Sequence, residues 1–145
     1  MTKKKTPPGH PFRRTRTDHS SETAEDYVEA IAQIEADRGQ CRAADLARLF
    51  GVTHVTVGKT ITRLAGEGYV ETAPYAPVTL TPQGKRLASQ AKERHRIVVD
   101  FLRAIGVSEA TAKLDAEGIE HHVSRETLER FRVLIAEAGG GSSGG

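Results

Sequence analysis

The chain contains one cysteine, so Cys41 has no partner for an internal disulfide, and thiolate zinc knuckles and dithiol redox sites are excluded with it. Tryptophan is absent and aromatic side chains make up only 5% of the sequence, so any core must be built mainly from the aliphatic part of its 37% hydrophobic residues. No long apolar run occurs, which argues against a membrane-spanning helix. No apolar segment follows the N-terminal lysines either, so they do not read as a secretion signal. A cytoplasmic chain is the expectation, and 145 residues allow one ordinary domain or two small ones.

What is present is unevenly spread. Residues 1–19 hold six cations (Lys3, Lys4, Lys5, Arg13, Arg14 and Arg16) against Asp18, a balance of +5. The formal net charge is +2, so the remainder carries −3. Residues 1–20 lack apolar periodicity and include Pro7, Pro8 and Pro11, so they read as a disordered basic arm. Composition leaves open whether such an arm lies along phosphates or only solubilises the chain. At the other end, 139–145 has the composition of a flexible tail.

Between these ends the periodicity is helical. A first helix is expected from near Thr23 to Gly39, with Tyr27, Val28, Ile31 and Ile34 as its buried stripe. Asp26 and Glu29, three residues apart, share a face beside that stripe. Thr23-x-x-Asp26 also fits a capping arrangement, in which Asp26 favours the helix dipole, so a ligand role and a capping role both stand.

Two short helices then fit the stretch that opens at Arg42. The first would bury Ala43, Leu46, Ala47 and Phe50, and the second Val57, Ile61 and Leu64. Gly51 and Val52 form the turn, and Thr53 caps the second helix. This is a helix-turn-helix pattern, whose second helix enters a DNA major groove. Its outward residues, Thr53, His54, Thr56, Lys59, Thr60 and Arg63, are polar or cationic, as a surface meeting phosphates and base edges requires, and Arg42 joins them as a candidate contact. Gly58 stands out, because a mid-helix glycine costs about 1 kcal/mol relative to alanine. It suggests close backbone approach, to the preceding helix or to DNA.

Strands are expected at 69–72 and 78–81, with 73–77 as the loop between them, the wing of a winged helix with Tyr75 at its tip. Thr81-Pro82 then starts a long helix to about Ile105, ended by Gly106, with Leu87, Ala91, His95, Val98 and Leu102 on one seam. A seam histidine can be a core residue or a metal ligand. Ser108 caps the next helix and Ser124 a last one, whose inner face holds Leu128, Phe131 and Ile135.

The penultimate helix carries Asp115-Ala-Glu-Gly-Ile-Glu-His-His122. At about 100° per residue a helix would place Glu117, Glu120 and His121 on one face, with His122 turned away. Two carboxylates and an imidazole are a hard O/N donor set that suits Mn²⁺ or Fe²⁺. A solvated acidic surface is the alternative.

Glu25-Asp-Tyr-Val-Glu29, Arg94-His95 and Asp115-Ala-Glu-Gly-Ile-Glu-His-His122, taken in order around the winged helix, resemble the diphtheria toxin repressor family of metal-dependent transcription factors. Within it the manganese-regulator branch is the more similar. The resemblance runs from about Thr23 to Phe131. It implies a mainly α fold with a winged helix-turn-helix DNA-binding domain at 21–80 and a helical metal-binding and dimerisation domain at 81–138.

The resemblance places the metal ligands on Asp26, Glu29, His95, Glu117, Glu120 and His121. It further implies two Mn²⁺ per protomer, with Glu117 able to bridge them, and leaves Fe²⁺ as a second possible ion. The iron-responsive branch has methionine and cysteine where Asp26 and Glu117 stand. It also implies a homodimer that represses manganese-uptake genes from double-stranded operator DNA, with no membrane and no small-molecule substrate. Ligands near both ends of the chain would let metal tie its two halves together. The wing tip, Tyr75-Ala-Pro-Val78, departs from the family in lacking the usual basic or glycine residue. Two other readings are a winged-helix regulator that senses no metal and a di-metal enzyme. The enzyme lacks support, because the sequence has no His-Glu-x-x-His and no repeated Glu-x-x-His pair.

Overall fold

The computed structural model describes residues 10–139, with side chains from residue 23 onward. Its fold is mainly α. The order is α1 (His10–Arg38), α2 (Ala43–Phe50), α3 (His54–Gly66), β1 (Val70–Glu71), β2 (Thr79–Leu80), α4 (Pro82–Ala104), α5 (Glu109–Ile119) and α6 (Arg125–Gly139). The chain divides into two compact units, Met1–Gln90 and Ala91–Gly145. Among the described residues no helix is long and apolar enough to cross a membrane.

The first helix is longer than the sequence suggested. It begins at His10, not near Thr23, which draws 10–20 of the expected unstructured arm into α1; residues 1–9 lie outside the described residues. Pro11 explains the start, since a proline in the first helical turn has no N–H to leave unsatisfied and its fixed φ suits a helix. No proline follows until Pro74. A consequence is that Thr23 and Asp26 lie inside a helix. The capping role considered for Asp26 is thereby excluded, because only the first turn has backbone N–H groups to cap.

In the first unit α1 buries Tyr27, Val28 and Ile31 against Leu46 and Ala47 of α2 and Val57, Ile61 and Leu64 of α3. The predicted stripes are thus the observed ones, with Ile34, Ala43 and Phe50 packed on the margin. Tyr27 and Phe50 stack with centroids 4.6 Å apart. Full burial of a Leu, Ile or Val side chain contributes about 1.5–3 kcal/mol, so the wholly buried Ile31, Leu46 and Leu64 are principal supports of this unit.

Gly51 ends α2 in the left-handed conformation (φ 65°), and Thr53 caps α3 by accepting from the Thr56 N–H at 3.1 Å. The hairpin is shorter than expected. It pairs Val70 with Leu80 and Glu71 with Thr79, and Val78 leaves it to bridge Cys41. That bridge spans 37 positions and fixes the start of the hairpin's second strand beside the α1–α2 connection.

Thr81 caps α4, accepting from the Gly84 N–H at 3.0 Å. In the second unit Val98 and Val99 of α4 pack with Ala112 and Ala116 of α5, and Leu128 and Phe131 of α6 close over them. Phe101 and Phe131 stack almost parallel, 3.9 Å apart. Gly106 (φ 101°) turns the chain out of α4, and Ser108 and Ser124 cap α5 and α6 by accepting from the Thr111 and Thr127 N–H groups.

Candidate metal centre and nucleic-acid interface

The second unit gathers three of the predicted ligands. His95 lies on α4, Glu120 caps the C-terminal end of α5, and His121 follows it. The Oε2 atom of Glu120 is 2.5 Å from Nδ1 of His95, and its Oε1 atom is 3.6 Å from Nε2 of His121. Side-chain exposure is 4% for Glu120, 2% for His121 and 28% for His95, so the carboxylate is enclosed while one imidazole reaches solvent. Burial pushes the Glu120 carboxyl above the usual carboxylate range. The neighbouring imidazoles pull it down, and the charge of Glu117 adds to the rise.

The motif does not stay helical to its end. α5 stops at Ile119, and the His122 N–H donates to the Ile119 carbonyl in a tight closing turn. Glu117 is therefore on the helix and exposed, whereas Glu120 and His121 turn inward. Helical spacing alone predicted one common face and missed this difference. His122 lines a surface hollow with Asp115, Gly118, Ile119 and Val123.

In the first unit Asp26 and Glu29 are half-buried and one turn apart on α1, flanked by the buried Glu25 (7% exposed). Among the described residues no group of three or more His, Cys, Asp or Glu side chains is arranged to hold a metal ion. The donor chemistry nevertheless fits a hard divalent cation. A desolvated carboxylate between two imidazoles is stabilised by positive charge and needs no thiolate.

The candidate nucleic-acid face is the outward side of α3. Val57, Ile61 and Leu64 point into the core, which leaves Thr53, His54, Thr56 and Lys59 exposed, with Thr60 and Arg63 half-exposed. Arg63 is held by Glu67, with both carboxylate oxygens at 3.2 Å, so a phosphate would compete for a guanidinium that already has a partner. Val55, 66% exposed, shares the outward face and was not singled out from the sequence. The signal for it was phase: Val55, Lys59 and Thr62 lie opposite the buried residues. Gly58 is exposed too, and a Cβ there would meet nothing within 4 Å. Close packing on the preceding helix is therefore not its explanation.

The candidate contacts Arg42 and Tyr75 are joined to each other. The Arg42 guanidinium donates to the Tyr75 carbonyl at 3.2 Å, at the tip of the wing. Arg42 also precedes α2, where its N–H donates to Asp45 at 2.9 Å. That bond, helped by the charges of Arg38, Arg48 and Arg42, holds the Asp45 carboxyl below its usual range against a partial cost of desolvation.

A helix-turn-helix with a wing, followed by a helical unit enclosing carboxylate and imidazole donors, defines a metal-responsive DNA-binding regulator of transcription and not an enzyme. Comparison with known proteins agrees. Residues 19–78 match the N-terminal DNA-binding domain of iron-dependent repressors, and residues 81–138 match their metal-binding and dimerisation domain. The chain belongs to the iron-dependent repressor family. It therefore binds metal ions and DNA and forms dimers through its second domain.

The transcriptional regulator MntR of Salmonella typhimurium is 44% identical over 128 residues, covering 88% of this chain and 82% of that protein. The HTH-type transcriptional regulator MntR of Lysinibacillus sphaericus is 37% identical over 111 residues, covering 77% and 80%. Among solved structures, a manganese-dependent transcriptional repressor in complex with manganese is 30% identical with a TM-score of 0.68, and IdeR of T. acidophilum is 29% identical with a TM-score of 0.66. This chain covers 52% and 53% of those two, about half their length, and is itself covered to 78% and 80%.

Proposed function

We propose that this protein is a Mn²⁺-responsive repressor of manganese-uptake genes, acting in the cytoplasm as a homodimer on double-stranded operator DNA. The observation that carries the reading is the enclosed carboxylate of Glu120 between His95 and His121. The 30% identity to a manganese-dependent transcriptional repressor solved with manganese supports the choice of ion. Asp26, Glu29, His95, Glu117, Glu120 and His121 are the proposed ligands, numerous enough for two ions per protomer. Fe²⁺, similar in its preference for oxygen and nitrogen donors, is the second candidate. A bound divalent cation supplies the positive charge that lets these acids stay ionised together.

In this reading metal occupancy is the input and operator affinity the output. Thr53, His54, Thr56, Lys59, Thr60 and Arg63 of α3 face the major groove, and Arg42 and Tyr75 serve the wing. Two α3 helices related by a two-fold axis would meet half-sites about 34 Å apart, or a multiple of that. A coupling of about 1–3 kcal/mol between metal and DNA suffices to switch occupancy, and it acts equally in both directions.

The test is a gel-shift on a manganese-transporter promoter in Mn²⁺, in Fe²⁺ and in EDTA. Retardation in Mn²⁺ that disappears in EDTA is expected. Retardation indifferent to EDTA would leave a winged-helix regulator that does not sense metal.

A further inference from the structure

The geometry points to Arg42 as a positioning residue that acts on DNA through the wing, by holding Tyr75 at its tip so that the phenol ring enters the minor groove beside the groove read by α3. This inference rests on the DNA-facing role of α3 proposed above.

Three observations meet at this point. Tyr75 has φ 62°, the one non-glycine residue with positive φ among those described, and such a backbone persists only where its surroundings hold it. The hold is visible. The Tyr75 carbonyl accepts from the Arg42 guanidinium, the Ala76 N–H closes a turn onto Ala73 at 3.1 Å, and the Val78 N–H donates to the Cys41 carbonyl at 2.8 Å. The loop is thus tied at its tip and at its base to the same dipeptide, Cys41-Arg42. Its product is a tyrosine side chain 99% exposed, an amphipathic ring that none of the described residues covers.

A ring held out at the cost of backbone strain suits a surface that takes an apolar face and a hydroxyl together. The sugar edges and phosphates of a minor groove are such a surface. The wing lacks a cation of its own from Glu71 to Leu80, and Arg42 is the guanidinium bound to it. Arg42 donates through one nitrogen to a neutral carbonyl, which fixes geometry rather than charge.

The experiment compares wild type, Arg42→Ala, Tyr75→Ala and the double variant, full-length and Mn²⁺-loaded, by fluorescence anisotropy on operator DNA across a salt series. Each single variant is expected to weaken binding by about fivefold, and the double variant no further than Tyr75→Ala, because both changes remove one interaction. The salt slope of Arg42→Ala should equal that of wild type. Additive losses with a slope reduced by about one would instead make Arg42 a direct phosphate ligand and overturn the proposal. An unweakened Arg42→Ala would overturn it as well.

A second measurement needs no DNA and so separates this inference from the proposed function. In the free protein the Cα and amide shifts of Tyr75 report its backbone, and Arg42→Ala should move them toward extended values. If they stay in place, the tether is wrong whatever the chain binds. Tyr75→Gly, which takes the left-handed conformation without strain, should make those wing shifts insensitive to Arg42→Ala.

Discussion

The Glu120 carboxylate sits 2.5 Å from Nδ1 of His95, so a side chain at the end of α5 and one in the seam of α4 are each other's partner. A cation taken up at either must break into that pair. Glu120→Gln keeps the shape and a hydrogen bond to the imidazole but removes the charge. The expected outcome is an unchanged helical circular dichroism spectrum with a loss of Mn²⁺ affinity of at least about tenfold, read by metal titration of operator binding. An unchanged titration would reduce Glu120 to a core residue.

Glu117 differs from Glu120 in being exposed on α5 while still contributing to the electrostatics of the buried carboxylate. Glu117→Cys should fold normally and shift the metal preference from Mn²⁺ toward softer ions such as Zn²⁺, because thiolate ligands select them. Titration of operator binding with each ion is the readout. An unaltered order of ions would remove Glu117 from the ligand set.

Gly58 is the clearest case of stability left unused. With open space around its Cβ position, Gly58→Ala should raise the free energy of unfolding in urea by about 0.5–1 kcal/mol. The same change should weaken operator binding if the helix backbone lies against DNA at this position. Stabilisation with undiminished affinity would show that DNA keeps its distance here.

Cys41 is fully buried, and burial first, then the charges of Asp45 and Glu35, pushes its thiol from 9.0 to about 11. The native protein should resist iodoacetamide at pH 8, whereas the urea-unfolded chain reacts readily, since only the thiolate is nucleophilic. The folded state holds this proton more tightly than the unfolded state. Stability from this group is therefore complete below pH 9 and is lost as pH rises toward 11, which urea unfolding across that range would record.

Local patterns carried most of the fold. Val57, Ile61 and Leu64 at helical spacing, Gly51 at a turn and Thr53 at a helix start are each decided within a few residues, and each stands where the sequence put it. The seam of α4 was legible for the same reason, His95 included. What escaped depends on distant partners or on how an element ends. Nothing near Cys41 announces its bridge to Val78, and nothing near Arg42 announces the Tyr75 carbonyl. Pro11 looked like a breaker and stands in a first turn, where its missing N–H costs nothing. In the acidic motif, spacing singled out Glu117, Glu120 and His121 as candidates, but only the closing of α5 at Ile119 shows which of them is enclosed.

The foot of α4 sets a limit of another kind. A Cβ on Gly84 would lie 2.0 Å from the Tyr69 carbonyl oxygen, a main-chain atom that cannot swing aside as a flexible side chain does. The long helix consequently leaves the wing through a gap that admits a hydrogen and nothing larger. Anyone retuning this regulator for another ion or another operator can trade the proposed ligands and DNA contacts, but must leave this foothold bare.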